Sequence, residues 1–446
     1  MSDSPMAKVR TSNKKEIVNQ ELHDRLAPDY VSVVGGLVEK YPVTRDEFYE
    51  KLVNFKTNKT QPIHGWFDYK QGYADALVRN IIDYSKLSDS DYILDPFTGV
   101  GTTQVSVQQK SFKSIGIDIN PIASFAAKTK THHYTESEIR EITDILRTIR
   151  SRYVMTKDIP RYKKLNDIFT PLQLEKMLTI KGFYESIDSQ VAKSFFRLAY
   201  ISIVEPISNR VKDGNGIKIS RTKKPIDDVY AYYEDKCSIM LDDIQHQRHA
   251  EALVIEGSLL DDAVFSKLKN YQIGSIIYSP PYANCFDYLE VYKMEVWLGG
   301  FVDDYEDFTK FRDVALRSHV NSKFSLEIKH DNRKVNTIAD FISTYNIWNK
   351  RIPDMVKGYF DDMHEIIRRS FELSRDGALC AIVVANSGYK GVVIPTDLLL
   401  ADIASSIGYT VDKIIHARDI RSSSQQMAEL RAEGGLMRES IILLRK

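Results

Sequence analysis

The stretch from Asp91 to Tyr134 constrains this chain most. An apolar run, Tyr92-Ile93-Leu94, meets the turn Asp95-Pro96-Phe97-Thr98-Gly99-Val100-Gly101-Thr102-Thr103, followed by a helical run over Gln104 to Gln109 and a second apolar run from Ser114 to Asp118. Strand, glycine turn, helix and strand make a βαβ unit, which predicts the opening of an α/β sheet. The two glycines permit a tight strand-to-helix turn and let backbone approach a ligand with no Cβ in the way. A bare Gly-x-Gly fits an ordinary loop equally well, and this turn lacks the third glycine of the dinucleotide fingerprint and the lysine of a phosphate loop. Asp118 sets it apart, because it ends the next strand, where a carboxylate can accept hydrogen bonds from ribose hydroxyls.

Further strands are predicted at Ala252 to Glu256, Gly274 to Tyr278, Ala378 to Ala385, Lys413 to His416 and Glu439 to Leu444. Between Thr135 and about Ala250 the pattern is helical. Thr135 and Glu138 form a capping box, and Thr170-Pro171 is a second helix start. Another helical stretch spans Val302 to Asp354. With 446 residues, 43% of them hydrophobic and 27% charged, the chain can bury a large core and need not be mostly disordered. Residues 1–60 read as a helical segment with a mobile polar start over Met1 to Lys15, which has no apolar signal region. No apolar run is long enough to cross a bilayer, so the expected location is the cytoplasm, with no membrane partner. Cys237, Cys285 and Cys380 form no CxxC pair, so neither a disulfide framework nor a metal site is expected.

Ser279-Pro280-Pro281-Tyr282 directly follows the predicted strand Ile276-Ile277-Tyr278. That is the carboxyl edge of a sheet, where open α/β folds bind ligands. Consecutive prolines fix the backbone and remove two N–H donors, leaving carbonyl oxygens to accept from a substrate amine. Tyr282 offers a flat face for stacking. Taken alone, the tetrapeptide would read as a strand-ending Pro-Pro turn with a packing tyrosine, but here it lies downstream of a cofactor-type turn.

Asp95 to Thr103 with Gly116-Ile117-Asp118-Ile119-Asn120-Pro121 resembles motifs I and II of the DNA amino-methyltransferases, and Ser279 to Tyr282 resembles their motif IV. The resemblance implies a Rossmann-like class I methyltransferase sheet, here with helical insertions, that uses S-adenosylmethionine. Asp95, Pro96, Phe97, Thr98, Gly99, Gly101, Thr102 and Thr103 would hold its methionine part, and Asp118, Ile119 and Asn120 its ribose side. Ser279 and the Pro280 carbonyl would hold the target amine, with Pro281 fixing the turn and Tyr282 stacking on a base flipped out of duplex DNA. A serine in the first position is typical of N4-cytosine enzymes. His64 to Gln71 is similar to motif X, which makes Lys70 and Gln71 cofactor candidates. One of Glu256 and Ser258, at the place of motif III, would meet the adenine amine. Ring-carbon methylation uses a cysteine after a proline, whereas Lys236, Asn284 and Leu379 precede the cysteines here.

Net charge is zero, with 61 basic and 61 acidic residues, so DNA would have to be held by a local patch. The expected patch is a flexible loop carrying Arg210, Lys212, Lys218, Arg221, Lys223 and Lys224 against the single acid Asp213. A second polar loop, with Arg418, Arg421 and Ser422 to Ser424, is a further candidate. The expected partners are double-stranded DNA and a separate restriction or defence protein. N6-adenine methylation, RNA base methylation and a non-catalytic DNA-binding subunit stay open as alternatives. It also stays open which of the two insertions reads the DNA sequence.

Overall fold

The computed structural model describes residues 17–446 except 215, 246, 249, 322–326 and 421–434. The polar start up to Lys15, and Arg421 and Ser422 to Ser424 of the second candidate loop, lie outside the described residues.

Eight strands form the central sheet: β1 (Val43–Arg45), β2 (Tyr92–Asp95), β3 (Lys113–Asp118), β4 (Ala252–Glu256), β5 (Ile273–Tyr278), β6 (Ser374–Ala385), β7 (Thr410–Asp419) and β8 (Arg438–Arg445). Their spatial order is β1-β7-β8-β6-β5-β2-β3-β4. Pairs β4-β3, β3-β2, β2-β5, β5-β6 and β1-β7 are parallel, while β8 runs antiparallel to both neighbours. This is the expected Rossmann-like α/β sheet. The inner strands are apolar almost throughout because helices cover both faces, and all six residues of β5 are buried. Strand β1, absent from the sequence-based expectation, is too short and polar to signal itself. It closes the exposed edge of β7, where Arg45 meets Asp419 at 3.0 Å.

From β2 the chain winds outward through β3 to β4, then crosses to β5 on the other side of β2 and continues to β6. The sheet therefore reverses direction between β2 and β5, and ligands bind at such a switch point. Leu94 of β2 pairs with Ile276 of β5, so the turn after Asp95 and the tetrapeptide after Tyr278 emerge side by side.

The long insertion builds a second apolar core. Helices α1 (Glu136–Arg147), α2 (Pro171–Glu185), α3 (Gln190–Ile207) and α4 (Val229–Gln245) bury Phe183, Phe195, Phe196 and Tyr233 against one another. Thr135 and Glu138 form a capping box on α1, and Thr170 caps α2 with Pro171 in its first turn. Trp66 and Phe67 belong to this core. The 302–354 region contains helices Tyr305–Asp313 and Arg333–Ser343, and a third, Ile352–Leu373, begins inside it. No helix among the described residues is long and apolar enough to cross a membrane.

Asp243 of α4 ties the insertion to the segment before β2. Its Oδ2 accepts the Trp66 indole N–H at 2.7 Å and the Ile63 backbone N–H at 2.8 Å. Ile63 sits at φ +63°, a strained position for a β-branched residue. Asp243→Ala leaves both donors unpaired, and the expected loss is about 2–4 kcal/mol of unfolding free energy in urea. A loss under about 0.5 kcal/mol, ordinary for surface changes, would show that the turn is held by packing alone.

Candidate active site

The turn after β2 is built around a buried carboxylate. Asp95 accepts hydrogen bonds from the Tyr73 hydroxyl at 2.9 Å, the Thr103 hydroxyl at 2.5 Å and the Phe97 N–H at 3.0 Å. Burial pushes its pKa up to about 7 against these donors. Asp95 and Thr103 thus brace the loop from below, and the Thr98 hydroxyl does the same through Gln104. Gly99 lies at φ +53°, and a Cβ there would stand 3.2 Å from the Tyr69 ring. Gly101, at φ +83°, would press a Cβ to 3.0 Å from Ala127. A side chain at either position therefore meets both strain and a neighbour.

Asp118 ends β3 beside this turn. Its Oδ2 accepts the Gly99 N–H at 2.8 Å and its Oδ1 the Asn120 N–H at 2.9 Å, so each oxygen keeps acceptor capacity. Burial raises its pKa to about 6, opposed by those N–H groups. The Asn120 Oδ1 caps the helix Pro121–Thr131, and its Nδ2 is buried with no partner. An unpaired buried donor at the mouth of a cavity is a ready ligand contact.

These groups open onto a cleft of about 870 Å³. Of the sequence candidates, Gln71, Pro96, Phe97, Gly99, Asp118, Ile119, Asn120, Ser258, Ser279 and Pro281 line it. Thr98 and Thr102 instead line a smaller adjoining recess of about 300 Å³, and Gly101 begins the helix Thr102–Gln109. The Glu256 carboxylate accepts from the Ser124 hydroxyl at 3.2 Å, whereas Ser258 faces the cleft. No group of three or more metal-ligating side chains occurs among the described residues.

A second chamber, of about 630 Å³, opens on the other side of Ser279 and is lined by Tyr282, Asn284, Tyr288, Arg418 and Glu439. Ser279 and Gln71 border both chambers and the recess between them. The Ser279 hydroxyl donates to the Tyr282 hydroxyl at 3.4 Å, and Tyr282 donates to Glu439 Oε1 at 2.6 Å. Burial, and then Glu439, hold the Tyr282 phenol well above its ordinary pKa, so it stays protonated. Pro280 is buried behind this edge, with Pro281 toward the larger cleft.

Several cleft residues carry no motif that could have announced them. Tyr69 was hidden beside Lys70 and Gln71, and its ring stacks on Tyr292 with centroids 4.9 Å apart. Asp287, Tyr288 and Phe311 follow the tetrapeptide, and His319 comes from the second helical insertion. Burial lowers the His319 pKa, and its Nδ1 is unpartnered.

Three lysine assignments need correction. Lys70 lines the second chamber rather than the cleft, and its ammonium donates to the Lys212 carbonyl. Lys212 faces inward instead of toward phosphate: its ammonium is 2.5 Å from Glu295 and 2.9 Å from Glu205, over the Tyr292 ring. Burial alone would depress its pKa, but the two carboxylates hold it raised. The supposed loop is largely a two-stranded hairpin, Arg210–Asp213 with Gly216–Ile219. Lys223 is also turned inward, onto the Glu205 and Arg210 carbonyls, and Arg210 donates to the Asp167 carbonyl at 3.3 Å. Lys218, Arg221 and Lys224 remain exposed.

A parallel sheet with one reversed strand, a glycine turn backed by an acid on the next strand, and a Pro-Pro edge beside it make a Rossmann-like methyltransferase fold. Residues 8–129 match the family model described as DNA methylase. The chain is 29% identical to the type II methyltransferase M.BsoBI of Geobacillus stearothermophilus, over 86% of each protein. It is 27% identical to M.AvaI of Anabaena variabilis, over 84% of this chain and 85% of that one, and 20% identical to M.MvaI of Kocuria varians, over 82% and 86%. The chain is thus similar to DNA methyltransferases over most of its length.

Asp118 accepts hydrogen bonds more strongly ionised than neutral, so a methyl donor's hydroxyls would be held best by its carboxylate form. Since its free-state pKa is raised to about 6, affinity for S-adenosylmethionine measured by calorimetry is expected to weaken as pH falls from 8 through 6. Asp118→Asn flattens that dependence as well as lowering affinity. An unchanged pH slope in the variant would remove Asp118 from the binding site.

Proposed function

We propose that this protein transfers a methyl group from S-adenosylmethionine to the exocyclic N4 amine of cytosine in duplex DNA. The observation that carries the reading is the position of Ser279 at the junction of two chambers, one bordered by Asp118 and the other by Tyr282. The larger cleft suits the methyl donor. Asp118 keeps lone pairs for ribose hydroxyls, Asn120 Nδ2 is an unspent donor, and Tyr69 and Phe97 supply aromatic walls. Bound there, S-adenosylmethionine supplies a methyl group on a sulfonium, an electrophile for the amine.

The second chamber suits a base turned out of the helix, at an unstacking cost of a few kcal/mol. Tyr282 and Tyr288 border it and provide faces for stacking. A conjugated exocyclic amine is a weak nucleophile, and N–H donation to Ser279 Oγ and the Pro280 carbonyl draws its lone pair out of conjugation. The work of the site is then positioning and electrostatics. A neutral serine in the first position favours cytosine over adenine. The likeness to type II methyltransferases supports a restriction-modification setting with a separate restriction partner.

Nucleoside mass spectrometry of duplex DNA incubated with protein and S-adenosylmethionine tests the assignment. N4-methylcytosine is expected from the parent and none from the Ser279→Ala, Tyr282→Ala double variant; N6-methyladenine would overturn the choice of base. Backbone contact falls to the exposed Arg221 and Lys224 on this reading. Arg221→Ala with Lys224→Ala is expected to weaken DNA binding uniformly across sequences and to reduce the log–log salt slope by about 2. An unchanged slope would place the DNA elsewhere.

A further inference from the structure

The tetrapeptide does not end at Tyr282. Its hydroxyl donates to Glu439 Oε1 at 2.6 Å, and Glu439 Oε2 accepts Arg418 Nε–H at 2.5 Å. Glu439 lies on β8, far from Ser279 in sequence, and its side chain is 4% exposed. The hydrogen bonds all point one way: Ser279 donates to Tyr282, Tyr282 donates to Glu439, and Glu439 only accepts. Ser279 Oγ thus has its own proton directed away, which leaves its lone pairs for an amine N–H. Aligned donors of this kind also polarise one another. Arg418 and Glu439 both border the second chamber, so the far end of the chain has a route to water.

A reacting amine must lose a proton as well as gain a methyl group. We infer that Glu439 is the terminal acceptor of that proton, reached through Ser279 and Tyr282. The inference rests on the reading that Ser279 holds the reacting amine, and it applies equally to cytosine and adenine. As the amine attacks, the N–CH3 bond forms and the S–CH3 bond breaks, with its electron pair leaving on sulfur. The cationic nitrogen gives one proton to Ser279 Oγ. Ser279's own proton passes to the Tyr282 oxygen, and Tyr282's proton passes to Glu439 Oε1. Charge is conserved at each transfer, and Glu439 later releases the proton to solvent in the second chamber. Arg418 orients the resting carboxylate through its Nε–H. Glu439 touches no reacting atom itself, so it is a positioning and proton-accepting residue that acts through Tyr282.

The test compares Tyr282→Phe and Glu439→Gln with the parent in single-turnover methylation across pH 5.5 to 9. Calorimetric S-adenosylmethionine affinity and 2-aminopurine fluorescence, which reports base extrusion, are measured alongside. Each variant is expected to bind the donor and extrude the base like the parent while methylating about 100-fold more slowly, the scale of a lost proton-transfer group. The double variant should be no slower than either single one. The Tyr282→Phe and Glu439→Gln enzymes are expected to share one altered pH–rate profile, distinct from the parent's. A Tyr282→Phe enzyme with the parental rate and pH profile overturns the relay, and it decides the matter if Glu439→Gln does not fold. Loss of extrusion in step with rate would also overturn it, because the chain would then only shape the chamber. A Ser279→Ala enzyme that methylates normally would instead defeat the reading on which the inference stands.

Discussion

Everything at this site follows from the parallel pairing of β2 with β5. Neither strand supplies a complete site, but the register of Leu94 beside Ile276 sends the glycine turn and the Pro-Pro edge out of the sheet together. Parallel neighbours that are far apart in sequence need long crossovers, and here the crossover from β3 to β4 carries the whole 135–250 insertion. The insertion returns to brace the site: Asp243 holds the Ile63–Trp66 turn, and that turn leads directly to Tyr69 and Gln71 at the cleft.

Buried charge is arranged differently in the scaffold and at the reacting edge. Asp95 is spent on three donors inside the turn, and Lys212 is spent on Glu205 and Glu295 beneath the Tyr69–Tyr292 stack. These groups fix geometry, and a partner removed from such a pair leaves an uncompensated charge. Asp118 and Asn120 are only partly satisfied by the protein and retain capacity toward the cleft. The contrast separates residues that hold the loop from residues that can hold a ligand. A motif cannot express this difference, because all of them fall within the same short stretch of chain.

Much of the fold was legible in the sequence because its strands are apolar runs bounded by turn residues. Strand β4 was expected at its observed limits, and β5 and β8 within a residue at each end. Strand β1 was missed because three residues with a polar outer face carry no period. At the site, Asp118, Ser279 and the glycines stood out because tight turns and strand ends restrict which residues can serve there. His319 and Glu439 did not, since each reaches the site from a remote element through tertiary packing. The basic run at 210–224 misled for a related reason: a charge count cannot show that Lys212 has two acids waiting beneath it. Asp213 is the only acid within that run, while Glu205 and Glu295 approach from other helices.

The central claim is that Ser279 separates a donor chamber from an acceptor chamber. A crystal structure of the protein with S-adenosylhomocysteine tests it most directly. The account predicts ribose hydroxyls on Asp118 and the sulfur directed past the Gly99 turn toward Ser279, with the second chamber left open. A sulfur pointing away from Ser279, or the ligand filling the Tyr282–Glu439 chamber, would contradict it.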